Sequence, residues 1–180
     1  CVDAVRDTDG IDEVVAVDGA TYDGDADVLV LAAIDEELLV ARPFVDVDPA
    51  LWERVWEGSM HAMVASLQSV FPGMRDRGWG RVVVVTPTAS MSGAAGLAPL
   101  CAVVEAQRVL AKSTARQWGA HGITVNCLAP GEPGSAGALA PPALTGPADV
   151  GGVLRFLVSD ASAHLTGATL CVDGGVWMAP

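Results

Sequence analysis

Few residues in this chain are of types that do chemistry, and they are scattered. His61, His121 and His164 stand far apart, with no partner one helical turn away that could share a metal. They read as surface or internally satisfied histidines. Cys1, Cys101, Cys127 and Cys171 show no C-x-x-C spacing, so they read as small buried hydrophobes of a reducing compartment. Ser90 and Ser92 sit in a loop of small residues. A hydrolase elbow needs G-x-S-x-G, and Met91-Ser92-Gly93 lacks the first glycine. A serine without a base partner is inert. Carboxylates crowd the first third of the chain (Asp3, Asp7, Asp9, Asp12, Glu13, Asp18, Asp23, Asp25 and Asp27). They read as a solvated face rather than a metal site. Tyr22, the only tyrosine, lies among them.

The elements that would position these residues follow from the apolar pattern. The chain has 180 residues, a net charge of −12, 51% hydrophobic residues and a mean hydropathy of +0.41. That is room for one domain with a proper core. Its longest apolar runs, VLVLAAI and VVVV, are strand-sized and far too short to span a membrane. The apolar excess therefore reads as buried parallel sheet plus a subunit interface. The net charge repels nucleic acid and anionic membranes. No secretory leader is visible, and a cytoplasmic location is expected. The chain begins at Cys1, not Met, so its start is not read as a natural terminus.

Residues 1–26 are acidic and contain glycine, with one strand expected at 13–18. The run from Asp27 to Ile34 reads as a strand covered on both faces. The link between these two is too short for a standard βαβ crossover. Asp48-Pro49 makes a capped helix start, and the helix is expected to run to about Phe71. A stripe of small residues on it (Gly58, Ala62, Ala65, Ser66, Ser69) allows close helix approach. Arg81 to Thr86 reads as the next buried strand. A second long helix spans 99–118, with Pro99 in its first turn and Gly119 as the left-handed residue past its end. Its charges, Glu105, Arg108, Lys112 and Arg116, fall on one narrow stripe, so the helix must be covered on two sides. Ile123 to Gly131 is a strand and its terminus. A short helix is expected at 149–157 and a last strand at 166–173. Alternating strands and helices define an α/β sandwich around a mostly parallel sheet.

Four segments in this order resemble the short-chain dehydrogenase/reductase family: DVLVLAAI, the stretch from Asp48 to Val85, ARQWGAHGITVNCLAPG and HLTGATLCVDGG. The resemblance covers residues 27–180 and implies a Rossmann-like three-layer fold in a single domain, 1–180. It also implies a nicotinamide cofactor and a Tyr, Lys, Ser and Asn that act on substrate. Mapped residue by residue, the Tyr and Lys positions fall on Leu100 and Val104, the Ser position on Pro87 and the Asn position on Ser59. The Asn-Asn-Ala-Gly stretch of the family becomes Leu31-Ala32-Ala33-Ile34. Gly10, Gly19 and Gly24 do not form the phosphate-binding pattern, and the nearest lysine is Lys112. The cofactor-binding half is expected to be shortened or missing. The loop after Pro130-Gly131 lacks the helical segments of a substrate lid.

These losses lead to an expected non-catalytic, dehydrogenase-like subunit with no catalytic, cofactor or metal residue of its own. It would pair through helices 49–71 and 99–118 with an active homologue or with itself. One alternative is an active NAD(P)-dependent enzyme with an atypical site, in which Ser90 or Ser92 replaces the family serine. A second is a binder of an apolar acyl or polyketide-like molecule, using a greasy pocket of Leu31, Ile34, Leu100 and Val104.

Overall fold

The structure is a computed structural model that describes residues 14–18, 21–131 and 147–178. Five strands form one parallel sheet in sequence order: β1 (Val14–Asp18), β2 (Val28–Ala32), β3 (Gly80–Val85), β4 (Ile123–Pro130) and β5 (Thr169–Val172). The register pairs Val28 with Arg81, Val82 with Val125 and Cys127 with Thr169. The chain is thus a Rossmann-like α/β sandwich, as its alternating pattern predicts.

Side chains alternate between the two faces of a strand, and both faces are covered here. Leu29, Leu31, Val82, Val84, Val125 and Cys127 face two long helices, α1 (Pro49–Arg77) and α3 (Ala98–Trp118). Val28, Val30, Val83 and Leu128 face α4 (Pro147–Val158) through its Leu154, Leu157 and Val158. A short helix, α2 (Ala89–Ser92), leads from β3 toward α3. No helix among the described residues is long and apolar enough to cross a membrane.

Helix α1 starts as its sequence predicts: the Asp48 carboxylate accepts from the Ala50 N–H at 2.9 Å, and Pro49 fills the first turn. It does not stop near Phe71. It continues through Pro72 to Arg77 and ends at left-handed Gly78. A proline inside a helix costs about 3 kcal/mol, but the apolar period extends past it. Val70 and Met74 on either side are fully buried, and that burial offsets the cost.

Helix α3 ends differently from the expectation. Gly119 has φ −55° and is right-handed; a 3-10 turn, Gly119–His121, follows, and the left-handed residue is Gly122 at φ 73°. Gly122 is held there by close approach, since a Cβ on it would collide with the Gly78 carbonyl oxygen. The charged stripe of α3 is also not fully wet. Lys112 and Arg116 are exposed, whereas Arg108 is 4% exposed.

β1 and β2 pair in parallel, Val14 with Val28, although no helix lies between them at 21–27. The connection therefore departs from a βαβ unit, as its length requires, without departing from parallel pairing. Instead of a helix, an extended segment lies on α1. The Tyr22 N–H donates to Ser66 Oγ at 2.9 Å, and Ser69 Oγ donates to the Tyr22 carbonyl at 3.0 Å. Arg77 binds Asp25 at 2.7 Å and Asp27 at 3.0 Å. A Cβ on Gly73 would strike the Asp25 carboxylate. Ser66 and Ser69 of the small stripe thus hold this chain's own segment, and Ala62 belongs to the core that α1 shares with α3.

Candidate functional site

In open parallel sheets, ligands bind beyond the carboxyl ends of the strands, where the strand order reverses. The residues mapped from the family lie at that end, but its character has changed. Leu100 and Val104 are both 0% exposed. They pack with Leu38, Leu51, Val55 and Val103, and Ile34 and Leu97 close the cluster. The side chains that would replace a proton-transferring Tyr and its Lys have become core. Of the greasy set, Leu31, Leu100 and Val104 are fully buried, Leu31 in the cluster between the sheet and α1 and α3, and Ile34 is partly buried against the Leu100 cluster. Among the described residues, then, Leu31, Leu100 and Val104 pack against apolar neighbours and do not line an open pocket as expected.

The remaining mapped positions carry polar groups without acid–base capacity. Ser59 is 4% exposed and its hydroxyl has no hydrogen-bond partner. Pro87 follows β3 and offers a carbonyl, to which Ser90 Oγ donates at 2.9 Å. Ser92 is exposed and donates to the Ala89 carbonyl at 3.1 Å. At the end of β2, the Ala33 carbonyl accepts from Gln107 Nε2 at 2.8 Å. Gln107 is fully buried, so it ties the Leu31–Ile34 stretch to α3. Nothing in its local sequence distinguishes it from a surface glutamine.

The second residue missed from sequence is Arg108. Its Nη2 donates to Ser90 Oγ at 2.8 Å, and it pairs with Glu105 at 3.1 Å. The cluster lies on the helix face toward β4 and β5. There, burial pushes the Cys127 thiol above its ordinary value, with the Arg108 charge and the hydroxyls of Thr169 and Thr86 opposing. Cys171, 3.8 Å from the Met91 sulfur, is raised by burial and then by the Asp173 charge. Raised thiols are protonated and poorly nucleophilic at neutral pH. Cys101, Cys127 and Cys171 are not in disulfides, and of these three only Cys127 is fully buried.

A second polar cluster lies at the opposite, amino end of the sheet. Arg81 is 2% exposed. Its Nη2 donates to Asp160 at 2.9 Å, its Nη1 to the Gly80 carbonyl, and its guanidinium stacks 4.4 Å from the Trp79 ring. Trp79 Nε1 donates to the same Asp160 oxygen at 3.0 Å. A cleft of about 380 Å³ adjoins them, with Thr124, His164 and Thr166 also on its walls. Burial lowers the Arg81 pKa, and Asp160 opposes that. The signal in the sequence was an arginine opening a run of valines.

His61 and His164 are exposed, and His121 packs edge-on against Phe71 with ring centres 5.6 Å apart. No cluster of metal-ligating side chains occurs among the described residues. Gly10, Gly19, Cys1, the acids from Asp3 to Glu13 and the loop at 132–146 lie outside the described residues.

At the positions where the family's Tyr and Lys would face a nicotinamide, Leu100 and Val104 are fully buried in an apolar cluster.

The short chain dehydrogenase family model nevertheless matches residues 2–137. This chain belongs to the short-chain dehydrogenase/reductase family. It is 31% identical over 147 residues to dehydrogenase/reductase SDR family member 4 of Oryctolagus cuniculus, covering 73% of this chain and 56% of that protein. It is 31% identical over 170 residues to the 3-oxoacyl-acyl-carrier-protein reductase FabG of Salmonella typhimurium, covering 86% of this chain and 68% of that one. The chain spans little more than half the length of several such relatives. Among solved structures, a gluconate 5-dehydrogenase from Burkholderia cenocepacia, in complex with NADP and tartrate, superposes with a TM-score of 0.69 and 28% identity. That match covers 85% of this chain and 65% of the other.

Proposed function

We propose that this chain is a non-catalytic member of its family, a dehydrogenase-like subunit that acts by pairing through α1 and α3 with an active homologue or with a second copy. One observation carries the reading: Leu100 and Val104, where the family places its proton-transfer pair, are fully buried in a packed apolar cluster. Exposed Val64 and Val109 on the two helices are consistent with a further layer over them. In this reading the partner supplies cofactor and chemistry, and this chain supplies scaffold.

A second reading has its own support. Relatives of about the same identity carry the names of reductases and dehydrogenases, and Ser90 held by Arg108 at 2.8 Å is a polar pair near the end of β3. In that reading the chain is an NAD(P)-dependent oxidoreductase with an atypical site. Titration with NADH and NADPH to millimolar concentration separates the two. A flat fluorescence response supports the subunit reading; saturable quenching or an emission shift overturns it. Sedimentation velocity tests the pairing, and a stable lone monomer that forms no complex with a family reductase would sink it.

A further inference from the structure

The cleft at the amino ends of the strands holds polar capacity that the fold does not use. Arg81 and Thr124 are register partners on β3 and β4, so their side chains leave the sheet side by side. They are 2% and 5% exposed, and both line the cleft of about 380 Å³. Three turns frame it: Gly78 after α1, the stretch from Gly119 to Gly122 after α3, and the segment around Asp160 and His164 after α4. A Cβ on Gly78 or on Gly119 would meet nothing within 4 Å, so the space beside these two residues is open.

The unused capacity is of one kind. Arg81 Nη1 donates to the Gly80 and Gly122 carbonyls and Nη2 to Asp160 Oδ1, but Arg81 Nε is buried with no partner. The buried Thr124 hydroxyl has none either. Thr166 Oγ1 already accepts from the Val125 N–H at 3.1 Å, which leaves its proton to donate. The Gly119 and Gly122 carbonyls are taken, by the Gly122 N–H and by Arg81. Donors therefore outnumber acceptors, and a buried donor left unpaired is costly. The Nε and Nη2 edge of a guanidinium is the one that grips a carboxylate or phosphate with two parallel bonds. Asp160 takes only the Nη2 half of it, with the same oxygen that accepts from Trp79 Nε1. Its side chain is 83% exposed and forms the movable wall of the cleft. A metal ion would find one carboxylate here, already paired with Arg81, and an apolar molecule would leave Nε and Thr124 unpaired.

We propose that this cleft binds a small oxyanion, the phosphate or carboxylate group of a metabolite-sized molecule. As Asp160 swings toward water, the oxyanion takes both Nε and Nη2 of Arg81 and the indole N–H of Trp79, and it accepts from the Thr124 hydroxyl. Thr166 and His164 line the way in. The volume exceeds that of a bare phosphate, which leaves room for the rest of the molecule. The site lies at the opposite end of the sheet from the Leu100 cluster, and it does not depend on whether the chain is catalytic.

The test follows the Trp79 indole and Arg81 Nε resonances of the full, isotope-labelled chain by NMR. Inorganic phosphate and succinate are titrated separately, each against chloride at matched ionic strength. The expected result is a saturable shift of both resonances with phosphate or with succinate, and none with chloride. The stronger of the two tells a phosphate group from a carboxylate, and either supports the proposal. Thr124→Val removes a hydroxyl that the fold leaves unpaired, so the variant keeps its fold and binds the anion about tenfold more weakly. Asp160→Ala removes the competing carboxylate, binds about tenfold more tightly, and regains melting temperature as the anion is added. No saturable shift with either anion in the parent chain overturns the proposal. So do equal shifts with chloride, or binding that Thr124→Val leaves unchanged.

Discussion

The two ends of the sheet have gone different ways. At the carboxyl ends of the strands, Leu100 and Val104 are packed against Leu38, Leu51 and Val55. At the amino ends, Arg81, Trp79 and Asp160 keep a polar cluster beside an open cleft. In an active family enzyme the carboxyl end is the one that must stay polar, strained and accessible. Here, among the described residues, the positions of the family's Tyr and Lys are apolar and fully buried. Leu100 and Val104 bring no charge to be buried, and their apolar neighbours pack around them. Arg81 is different, because its buried guanidinium donates to the Gly80 and Gly122 carbonyls and to Asp160 and so ties three segments together.

That contrast can be broken most severely at Val104. Val104→Lys puts a cation into a site with 0% exposure. The buried lysine gives up its proton to fold, at about 4–5 kcal/mol of stability at pH 7. The sign follows from linkage. The folded pKa is depressed, the unfolded chain holds the extra proton, and the loss shrinks as pH rises toward about 10. Urea unfolding at pH 7 and pH 9.5 should show the penalty easing, and an equal penalty at both would show that the cluster opens to water.

Leu100→Ala comes next, at about 2–5 kcal/mol, as expected for a leucine lost from a site that cannot collapse. A cost under 1 kcal/mol by the same measurement would mean that the cluster is loosely packed.

At the polar end the expected effects are smaller and asymmetric. Arg81→Met removes a charge that is hydrogen-bonded but costly to bury, at about 1–2 kcal/mol. Asp160→Ala removes an 83% exposed side chain yet leaves Arg81 buried without its counter-ion. It should therefore destabilise at least as much as Arg81→Met, and the double variant should cost less than the two singles added. Additive losses would show that the pair is uncoupled.

The smallest effect lies on the surface segment over α1. Hydrogen bonding from Arg77, with its charge, holds the Asp25 carboxyl below its ordinary pKa. A depressed folded pKa gives stability that is complete above the ordinary aspartate range and lost as pH falls through the folded value. Asp25→Asn should cost under about 1 kcal/mol at pH 7, as exposed pairs do, and less at pH 2. Thermal melts at the two pH values check this.

Much of the fold was legible in the sequence because burial writes itself into periodicity. The continuous runs at β2 and β3 could only be strands covered on both faces, and the Asp48-Pro49 start of α1 was a local matter of capping. The end of α1 was not local. Pro72 alone argues for a stop, and only the burial of Met74 against the sheet keeps the helix going. The placement of left-handed geometry at Gly122 rather than Gly119 likewise depends on the Gly78 carbonyl, which comes from a distant turn.

For the site, the sequence by itself determined that the positions matching the family's Tyr and Lys hold no acid–base group, because a leucine cannot transfer a proton and a valine cannot carry a charge wherever they are placed. Only the tertiary structure decided what took their place. Whether Leu100 and Val104 would line a pocket or fill one depends on side chains from β2, α1 and the turn between them. Whether Arg108 lies in water or beneath Ser90, and whether Arg81 is covered or bare, are likewise set by neighbours distant in the chain. Residue type fixes the chemistry a position can perform, while exposure and partners belong to the packed assembly of elements.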